Sequence, residues 1–140
     1  MFLLTGPTAS GKSAVALELA QRIGGEIVNA DAFQLYRELP IVTAQPSAAD
    51  LARVPHHLYG VLSVTERCDA QRYHDLARPV IDAITARGRW PIVVGGSGLY
   101  IKALTHGLTQ LPPVSDALRS EIAALSKEER LARLLALDPE

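Results

Sequence analysis

The chain has 140 residues, a formal net charge of −1 and one cysteine, Cys68. This length suits one domain with a substantial core, and a single cysteine excludes an internal disulfide framework and fits a reducing cytoplasm. The near-neutral charge does not by itself indicate a nucleic-acid-binding protein. No apolar run approaches the ~20 residues of a membrane span, and no basic segment precedes an apolar one at the start, so we expect no membrane association, no signal peptide and a cytoplasmic location.

Apolar runs alternate with helical periodicity along the chain. In chain order, the predicted elements are a strand at Phe2–Thr5, a helix at Lys12–Ile23, a strand at Glu26–Ala30, a helix at Asp69–Arg87 kinked at Pro79, a strand at Trp90–Val94 and helices at Leu99–His106, Ser115–Leu125 and Ser126–Leu137. Residues 38–65 contain several prolines and are predicted to be mostly irregular, and Pro112-Pro113 is a predicted break.

This order predicts an α/β fold, a parallel sheet flanked by helices of the kind found in P-loop nucleoside triphosphate hydrolases. Three strands are few for such a sheet, and no strand closes the sequence. We therefore expect a truncated fold, the N-terminal portion of a longer protein. Its domains would be a P-loop catalytic core over residues 1–111 and the start of a helical region over residues 112–140.

The most informative segment is GPTASGKS, which fits the phosphate-binding loop pattern G-x-x-x-x-G-K-[ST] between a predicted strand and a predicted helix. In that context the loop N–H groups and the helix N-terminus hold a di- or triphosphate, Lys12 reaches the terminal phosphates, and Ser13 coordinates Mg²⁺. A glycine-rich turn without a ligand is the alternative, which the flanking elements disfavour. The predicted diphosphate-binding residues are those of the loop: Gly6, Pro7, Thr8, Ala9, Ser10, Gly11, Lys12 and Ser13.

Two further segments follow predicted strands and should meet the loop at one sheet edge, since ligands of parallel α/β sheets bind beyond the carboxyl ends of the strands. Asp31 follows the second strand as a candidate magnesium ligand, proton acceptor or simple cap. Gln34 and Tyr36 come next with a spacing of two, which would place them on one face of an extended segment. Residues 95–98, GGSG, follow the third strand as an anion-binding loop or a tight turn.

Other polar residues give weaker indications. The third strand lacks the terminal carboxylate that many nucleotide hydrolases use to hold Mg²⁺, which favours group transfer over hydrolysis. His56 and His57 are adjacent and point in different directions, so we expect a loop role rather than a two-histidine metal site. Arg37 and Lys102 are either phosphate-binding cations or ordinary solvated charges.

Together these motifs resemble the tRNA dimethylallyltransferase (tRNA isopentenyltransferase) family. That family carries a GPTASGK[ST] loop, a D-S-x-Q-V-Y-R-G segment, a G-T-A-K-P segment, an H-H-L triplet and an R-G-x-x-P-I-[LV]-V-G-G-T-G-L-Y block. The corresponding stretches here are residues 6–13, 31–37, 42–46, 56–58 and 87–100, in the same order and at similar spacing. The chain departs from these patterns at Ala32, Leu35, Glu38, Gln45 and Ser97, and residues 58–69 are shorter than in the family.

The resemblance implies transfer of a dimethylallyl group from dimethylallyl diphosphate to N6 of an adenine beside the tRNA anticodon, with Mg²⁺ as cofactor. It implies Asp31, Ser97 and Lys12 as catalytic residues, Asp31, Gln34 and Tyr36 as tRNA-binding residues, and Ser13 as a metal ligand. We expect a monomeric enzyme of which these 140 residues alone are inactive. The alternatives are an adenylate isopentenyltransferase acting on free adenine nucleotides, a P-loop small-molecule kinase and a non-catalytic nucleotide-binding module.

Overall fold

The computed structural model describes residues 1–109 and 114–138. The elements in chain order are β1 (Phe2–Thr5), α1 (Lys12–Ile23), β2 (Gly25–Asn29), α2 (Ala48–Arg53), β3 (His56–His57), α3 (Ala70–Ala86), β4 (Trp90–Gly95), α4 (Gly98–His106), α5 (Asp116–Ala124) and α6 (Lys127–Leu137). The chain divides into two compact units, Met1–Leu108 and Thr109–Glu140. The predicted break at Pro112-Pro113 and the predicted boundary after Leu111 lie outside the described residues.

The strands of the first unit form one parallel sheet in the order β1-β4-β2-β3. Strand β2 is buried along its whole length and β4 is buried from Pro91 onward, as expected for central strands of a parallel sheet covered on both faces. Strand β1 pairs only with β4 among the described strands, and Phe2 and Leu3 are exposed. The carboxyl ends of β1, β2 and β4 therefore lie along one edge of the sheet.

Helices cover both faces of this sheet. Helix α1 buries Ala16, Leu17 and Ala20, which repeat at helical spacing, in a cluster with Ile27 and Ile92 on one face. Helices α3 and α4 cover the other face, where the rings of Tyr73 and Tyr100 stack with centroids 4.1 Å apart. This three-layer arrangement confirms the predicted α/β fold with a helix-flanked parallel sheet.

The structure contains two elements within the segment that was predicted to be irregular. Helix α2 begins at Ala48, and its N-cap Ser47 forms a reciprocal capping box with Asp50. Strand β3 has only two residues, and its pairing with β2 is a contact across about thirty residues of sequence. The other residues of this segment lie outside helices and strands, so the prediction of a mostly irregular segment is confirmed. The two elements are too short to show the apolar periodicity by which a sequence pattern is recognised. The loop role expected for His56 and His57 was wrong, because these two residues form β3.

The remaining boundaries agree closely with the predictions. Helix α1 ends at Ile23 and is capped by Gly24, whose φ of 66° is the left-handed conformation typical of a glycine cap. Helix α3 continues through Pro79 to Ala86. In the second unit, α6 begins with a capping box between Ser126 and Glu129, as its sequence predicts. No helix among the described residues is long and apolar enough to cross a membrane.

Candidate functional site

The phosphate loop connects β1 to α1 and leaves the start of that helix open. Helix α1 begins at Lys12 with Gly11 as its N-cap, and no side chain caps its first turn. Gly11 has a φ of 82°, and Ala9 also has a positive φ, 62°, which non-glycine residues rarely adopt. Because the first N–H groups of a helix lack intrahelical partners and carry partial positive charge, this uncapped turn suits an anion.

The side chain of Lys12, the predicted phosphate-binding cation, folds back over the phosphate loop. Its Nζ donates to the carbonyl oxygen of Pro7 at 2.5 Å and to Oγ of Ser10 at 3.4 Å. A diphosphate bound in the loop would compete with these contacts for the ammonium group. The side chain is therefore already held near the place where phosphate oxygens would bind.

The three segments that the sequence predicted to converge do meet around one cavity of about 360 Å³. It is lined by Thr8, Ala9, Ser10, Gly11, Lys12, Ser13, Ala14, Asp31, Gln34, Thr43, Ala44, Tyr59, Val94, Gly95 and Gly96. Gly6, Pro7, Tyr36 and Ser97 are outside this lining. The phosphate loop, the Asp31 carboxylate and apolar residues such as Val94 and Ala44 thus line one cavity.

Asp31 is half-buried at the cavity, directly after β2. Its Oδ1 accepts the N–H of Phe33 at 2.9 Å, which closes a short turn and fixes one carboxylate oxygen. No hydrogen bond to Oδ2 is found within residues 1–109 and 114–138. The second oxygen is therefore left to accept a proton or contact a metal ion.

Gln34 and Tyr36 do not share a face, because residues 32–38 turn rather than extend. The N–H of Tyr36 donates to the carbonyl oxygen of Phe33, so the chain folds back on itself. Gln34 lines the cavity and donates through Nε2 to the carbonyl oxygen of Thr43 at 2.7 Å. Tyr36 instead packs against the apolar core. The extended segment was a wrong expectation, since hydrogen bonds within the turn outweigh the alternating pattern.

Gln45 stands where the family pattern has lysine, and its side chain is hydrogen-bonded to this turn. Its Nε2 donates to the carbonyl oxygens of Gln34 at 3.1 Å and Tyr36 at 2.8 Å. The amide therefore fastens residues 40–46 to the turn that follows Asp31. Arg37 and Lys102 are exposed and do not line the cavity, and Arg37 donates to the carbonyl oxygen of Val61.

Ser97 and Gly95 join the end of β4 to the end of β2. Oγ of Ser97 accepts the N–H of Ala32 at 2.9 Å, and its own N–H donates to the carbonyl oxygen of Ala30 at 3.2 Å. A Cβ on Gly95 would lie 2.2 Å from the backbone of Ala30, so only glycine permits this approach. Ser97 thus contacts the backbone next to Asp31 rather than the cavity itself.

Tyr59 is a site residue that no sequence pattern indicated, because it lies in the segment predicted to be mostly irregular. It lines the phosphate cavity and also an adjacent crevice of about 450 Å³ between α1 and the α2–β3 segment. Burial and the nearby charge of Asp31 both raise the pKa of Tyr59.

His57 is one of two side chains that pair with the buried carboxylate of Glu26. Glu26, only 5% exposed, accepts hydrogen bonds from Nε2 of His57 at 2.7 Å and from Nη2 of Arg87 at 2.9 Å. Burial raises the pKa of Glu26, but these hydrogen bonds and the charges behind them outweigh it and hold the pKa below its ordinary value. His56 points elsewhere, with Nδ1 at 2.9 Å from the carbonyl oxygen of Val54.

Within residues 1–109 and 114–138, no group of three or more His, Cys, Asp or Glu side chains could hold a metal ion. Ser13 and Asp31 nevertheless line the same cavity. Mg²⁺ commonly takes one or two protein oxygens and completes its shell with water and substrate phosphates. The residues present fit such a substrate-dependent magnesium site.

The fold and the site together define a P-loop protein, built on a parallel sheet whose phosphate loop faces a carboxylate. Comparison with known families gives the narrower assignment: the model of the IPP transferase family matches residues 34–140. The chain belongs to the IPP transferase family.

Individual relatives agree with this assignment. A tRNA dimethylallyltransferase of Akkermansia muciniphila is 53% identical over 98% of this chain and 47% of its own length, and one of Rhodospirillum centenum is 50% identical over 100% and 46%. Among solved structures, a full-length tRNA isopentenylpyrophosphate transferase of Bacillus halodurans shares 34% identity at a TM-score of 0.76, over 99% of this chain and 48% of that one. A eukaryotic dimethylallyltransferase acting on tRNA shares 26% identity at a TM-score of 0.85, over 99% of this chain and 36% of that one. The chain spans about half the length of the curated relatives it matches.

Proposed function

We propose that this chain forms the donor-binding and proton-accepting half of a tRNA dimethylallyltransferase, which moves a dimethylallyl group from dimethylallyl diphosphate to N6 of an adenine beside the anticodon. The observation that carries the proposal is that one cavity is lined by both the phosphate loop and Asp31. The relatives at 50% identity and above bear the name of this activity, which supports the choice of substrates.

In the proposed reaction, the bond between the allylic carbon and the diphosphate oxygen breaks while the bond from that carbon to adenine N6 forms. The loop N–H groups and Lys12 stabilise the negative charge that develops on the departing diphosphate, with Thr8 and Ser10 beside it. Asp31 accepts the proton that N6 loses. Val94, Ala44 and Tyr59 add apolar surface to the same cavity, which suits a hydrocarbon group and restricts water.

Ser13, together with phosphate oxygens and water, would hold Mg²⁺, which neutralises diphosphate charge when it is bound. Gln34 lines the cavity and is therefore better placed than Tyr36 to contact tRNA beside Asp31. Tyr36 packs against the apolar core and would contribute through the turn that contains it. Ser97 would act by fixing the backbone after Asp31. We further propose that the protein is a monomer and acts in the cytoplasm, where its tRNA substrate is present and a free cysteine stays reduced.

A hybrid enzyme tests the proposal, because the chain covers only part of its relatives. This chain replaces the matching part of the Akkermansia muciniphila relative, and the hybrid is incubated with dimethylallyl diphosphate, Mg²⁺ and either unmodified tRNA or AMP. We expect prenylated adenosine in digested tRNA by mass spectrometry, and its loss in an Asp31→Asn hybrid.

The unaltered relative is the positive control for the assay. A folded hybrid that gives no prenylated tRNA while the relative does would refute the proposal. Prenylated AMP without prenylated tRNA would instead identify a free-nucleotide enzyme, and phosphate transfer from added ATP would identify a kinase.

A further inference from the structure

Asn29 is a fully buried amide at the end of β2, two residues before Asp31. Its Oδ1 accepts the N–H of Asp31 at 2.8 Å, and its Nδ2 donates to the carbonyl oxygen of Asp31 at 3.0 Å. The same Nδ2 donates to the carbonyl oxygen of Leu58 at 3.0 Å. One side chain therefore holds both backbone groups of Asp31 and ties them to another segment.

The chemistry of these three contacts is specific to an amide. They require one acceptor and two donor hydrogens in a single planar group, which asparagine has and aspartate lacks. Leu58 has a φ of 63°, a conformation that a leucine adopts only when its surroundings enforce it. The hydrogen bond from Asn29 is one such constraint, and the residue that follows Leu58 is Tyr59 at the cavity wall.

The position of the Asp31 carboxylate depends on this backbone. The side chain has few degrees of freedom left, because Oδ1 is already bound to the N–H of Phe33. A proton acceptor must lie about 2.6–3.2 Å from the group it deprotonates, and a displacement of about 1 Å can lower a rate about 100-fold. A residue that fixes the Asp31 backbone thereby fixes the distance on which proton transfer depends.

We infer that Asn29 is a positioning residue for Asp31, one that sets the location of the proton acceptor without touching the substrate. The inference rests on the proposed function. The inference explains why a polar side chain is buried in this apolar strand, where packing alone would favour an apolar one. A buried polar group is costly unless its donors and acceptors are all hydrogen-bonded.

Tyr73 provides a matched control, because it forms a different hydrogen bond to the same residue, Asn29. The hydroxyl group of Tyr73 donates to the carbonyl oxygen of Asn29 at 2.8 Å, and Tyr73 is also fully buried. Tyr73→Phe removes a buried hydrogen bond to Asn29 and leaves its side-chain amide intact. Asn29→Asp keeps the shape of the side chain and removes both donor hydrogens. A purely structural role for Asn29 would make the two variants behave alike.

The test compares both variants in the hybrid enzyme, with thermal unfolding measured alongside. We expect Asn29→Asp to lower kcat by about 10- to 100-fold with KM for dimethylallyl diphosphate within about twofold, and Tyr73→Phe to leave kcat within about twofold. If both variants lose turnover alike, or if Asn29→Asp raises KM and leaves kcat unchanged, the inference is wrong. Asn29→Ser, assessed in the same way, takes its place if the aspartate variant does not fold.

Amide hydrogen exchange in the 140-residue chain gives a reading that does not need activity. We expect faster exchange at the Asp31 N–H in Asn29→Ala, which removes the Oδ1 that accepts this N–H, and no change there in Tyr73→Phe. Equal exchange in both variants would overturn the inference. A wild-type hybrid without prenyl transfer would refute the proposed function alone, and hydrogen exchange would still decide whether Asn29 holds Asp31.

Discussion

Gly95→Ala should disrupt the junction of β2 and β4 on which the site is built. An added Cβ would lie 2.2 Å from the carbonyl carbon and oxygen of Ala30 and 2.7 Å from the backbone nitrogen of Asp31. The obstructing atoms are backbone, so no side chain can rotate away. Relief requires the two strand ends to separate by about 1 Å to reach ordinary contact.

The cost follows from what such a separation breaks. The N–H of Ala30 donates to the carbonyl oxygen of Val94 at 2.8 Å, and a shift of that size breaks the bond. Overpacking costs about 1–3 kcal/mol, and each lost hydrogen bond adds about 1 kcal/mol. We therefore expect a loss of about 2–4 kcal/mol, which corresponds to a melting temperature lowered by about 6–16 °C in a domain of this size.

Thermal unfolding of the 140-residue chain, followed by circular dichroism, measures this effect. Gly98→Ala is the matched control: Gly98 opens α4 three residues away, and a Cβ there meets nothing within 4 Å. We expect the control to melt within about 2 °C of wild type or slightly above it, since alanine favours helices. If Gly95→Ala also melts within about 2 °C of wild type, the reasoning from close backbone approach is refuted.

Three further predictions concern single side chains. Lys12→Ala should weaken binding of inorganic diphosphate to the 140-residue chain by about 10- to 100-fold in calorimetry, because a charge-assisted hydrogen bond contributes about 1.5–3 kcal/mol. Asp31→Asn in the hybrid should lower turnover by about 10²–10⁴-fold, since the proton acceptor is gone, while diphosphate binding persists. Glu26→Gln should lower the free energy of unfolding at pH 7 by about 1–3 kcal/mol and flatten its decline in acid. The sign follows from the lowered pKa of Glu26: its stabilisation is present above the unfolded-state pKa and is lost as pH falls through the folded-state pKa.

Each of these three predictions has a control variant or a result that would contradict it. Lys102→Ala removes an exposed lysine away from the cavity and should leave diphosphate binding unchanged. Loss of magnesium-dependent diphosphate binding in Asp31→Asn would make Asp31 a metal ligand instead of a base. Asp82→Asn removes an exposed carboxylate paired with Arg78 and should leave the acid profile as in wild type. Equal profiles for Glu26→Gln and wild type would contradict the stabilising role of the pairs that Glu26 forms with His57 and Arg87.

Local patterns predicted much of the architecture. The phosphate loop is one continuous segment, so its pattern placed Lys12 and Ser13 at the start of a helix as the structure has them. The buried strands could be found because short apolar runs, residues 27–28 and 92–94, follow glycine or charged residues that end the preceding helices. Asp31 and residues 95–98 were placed together by topology alone, since carboxyl ends of parallel strands share an edge.

Long-range contacts account for what the patterns missed. Strand β3 exists only because β2 pairs with it, and Tyr59 reaches the cavity only because that pairing brings residues 56–59 beside the phosphate loop. Tyr36 was expected beside Gln34, but a backbone turn sends it into the core. Pairings of this kind depend on residues far apart in the chain, and no local periodicity records them.

By itself, then, the sequence determined that the protein has a P-loop α/β fold with a phosphate loop, a carboxylate and a glycine loop at one sheet edge, because each of those features is encoded in a few consecutive residues. The tertiary structure alone decided how the carboxylate is held. In the sequence, Asn29 is one polar residue in an apolar strand, and only the structure shows that its amide bonds Asp31 and Leu58. Ser97 is likewise one hydroxyl group in a loop, and only the structure shows that it accepts the N–H of Ala32. The physical reason is that a hydrogen bond needs its partner in place, and only the folded chain supplies that partner.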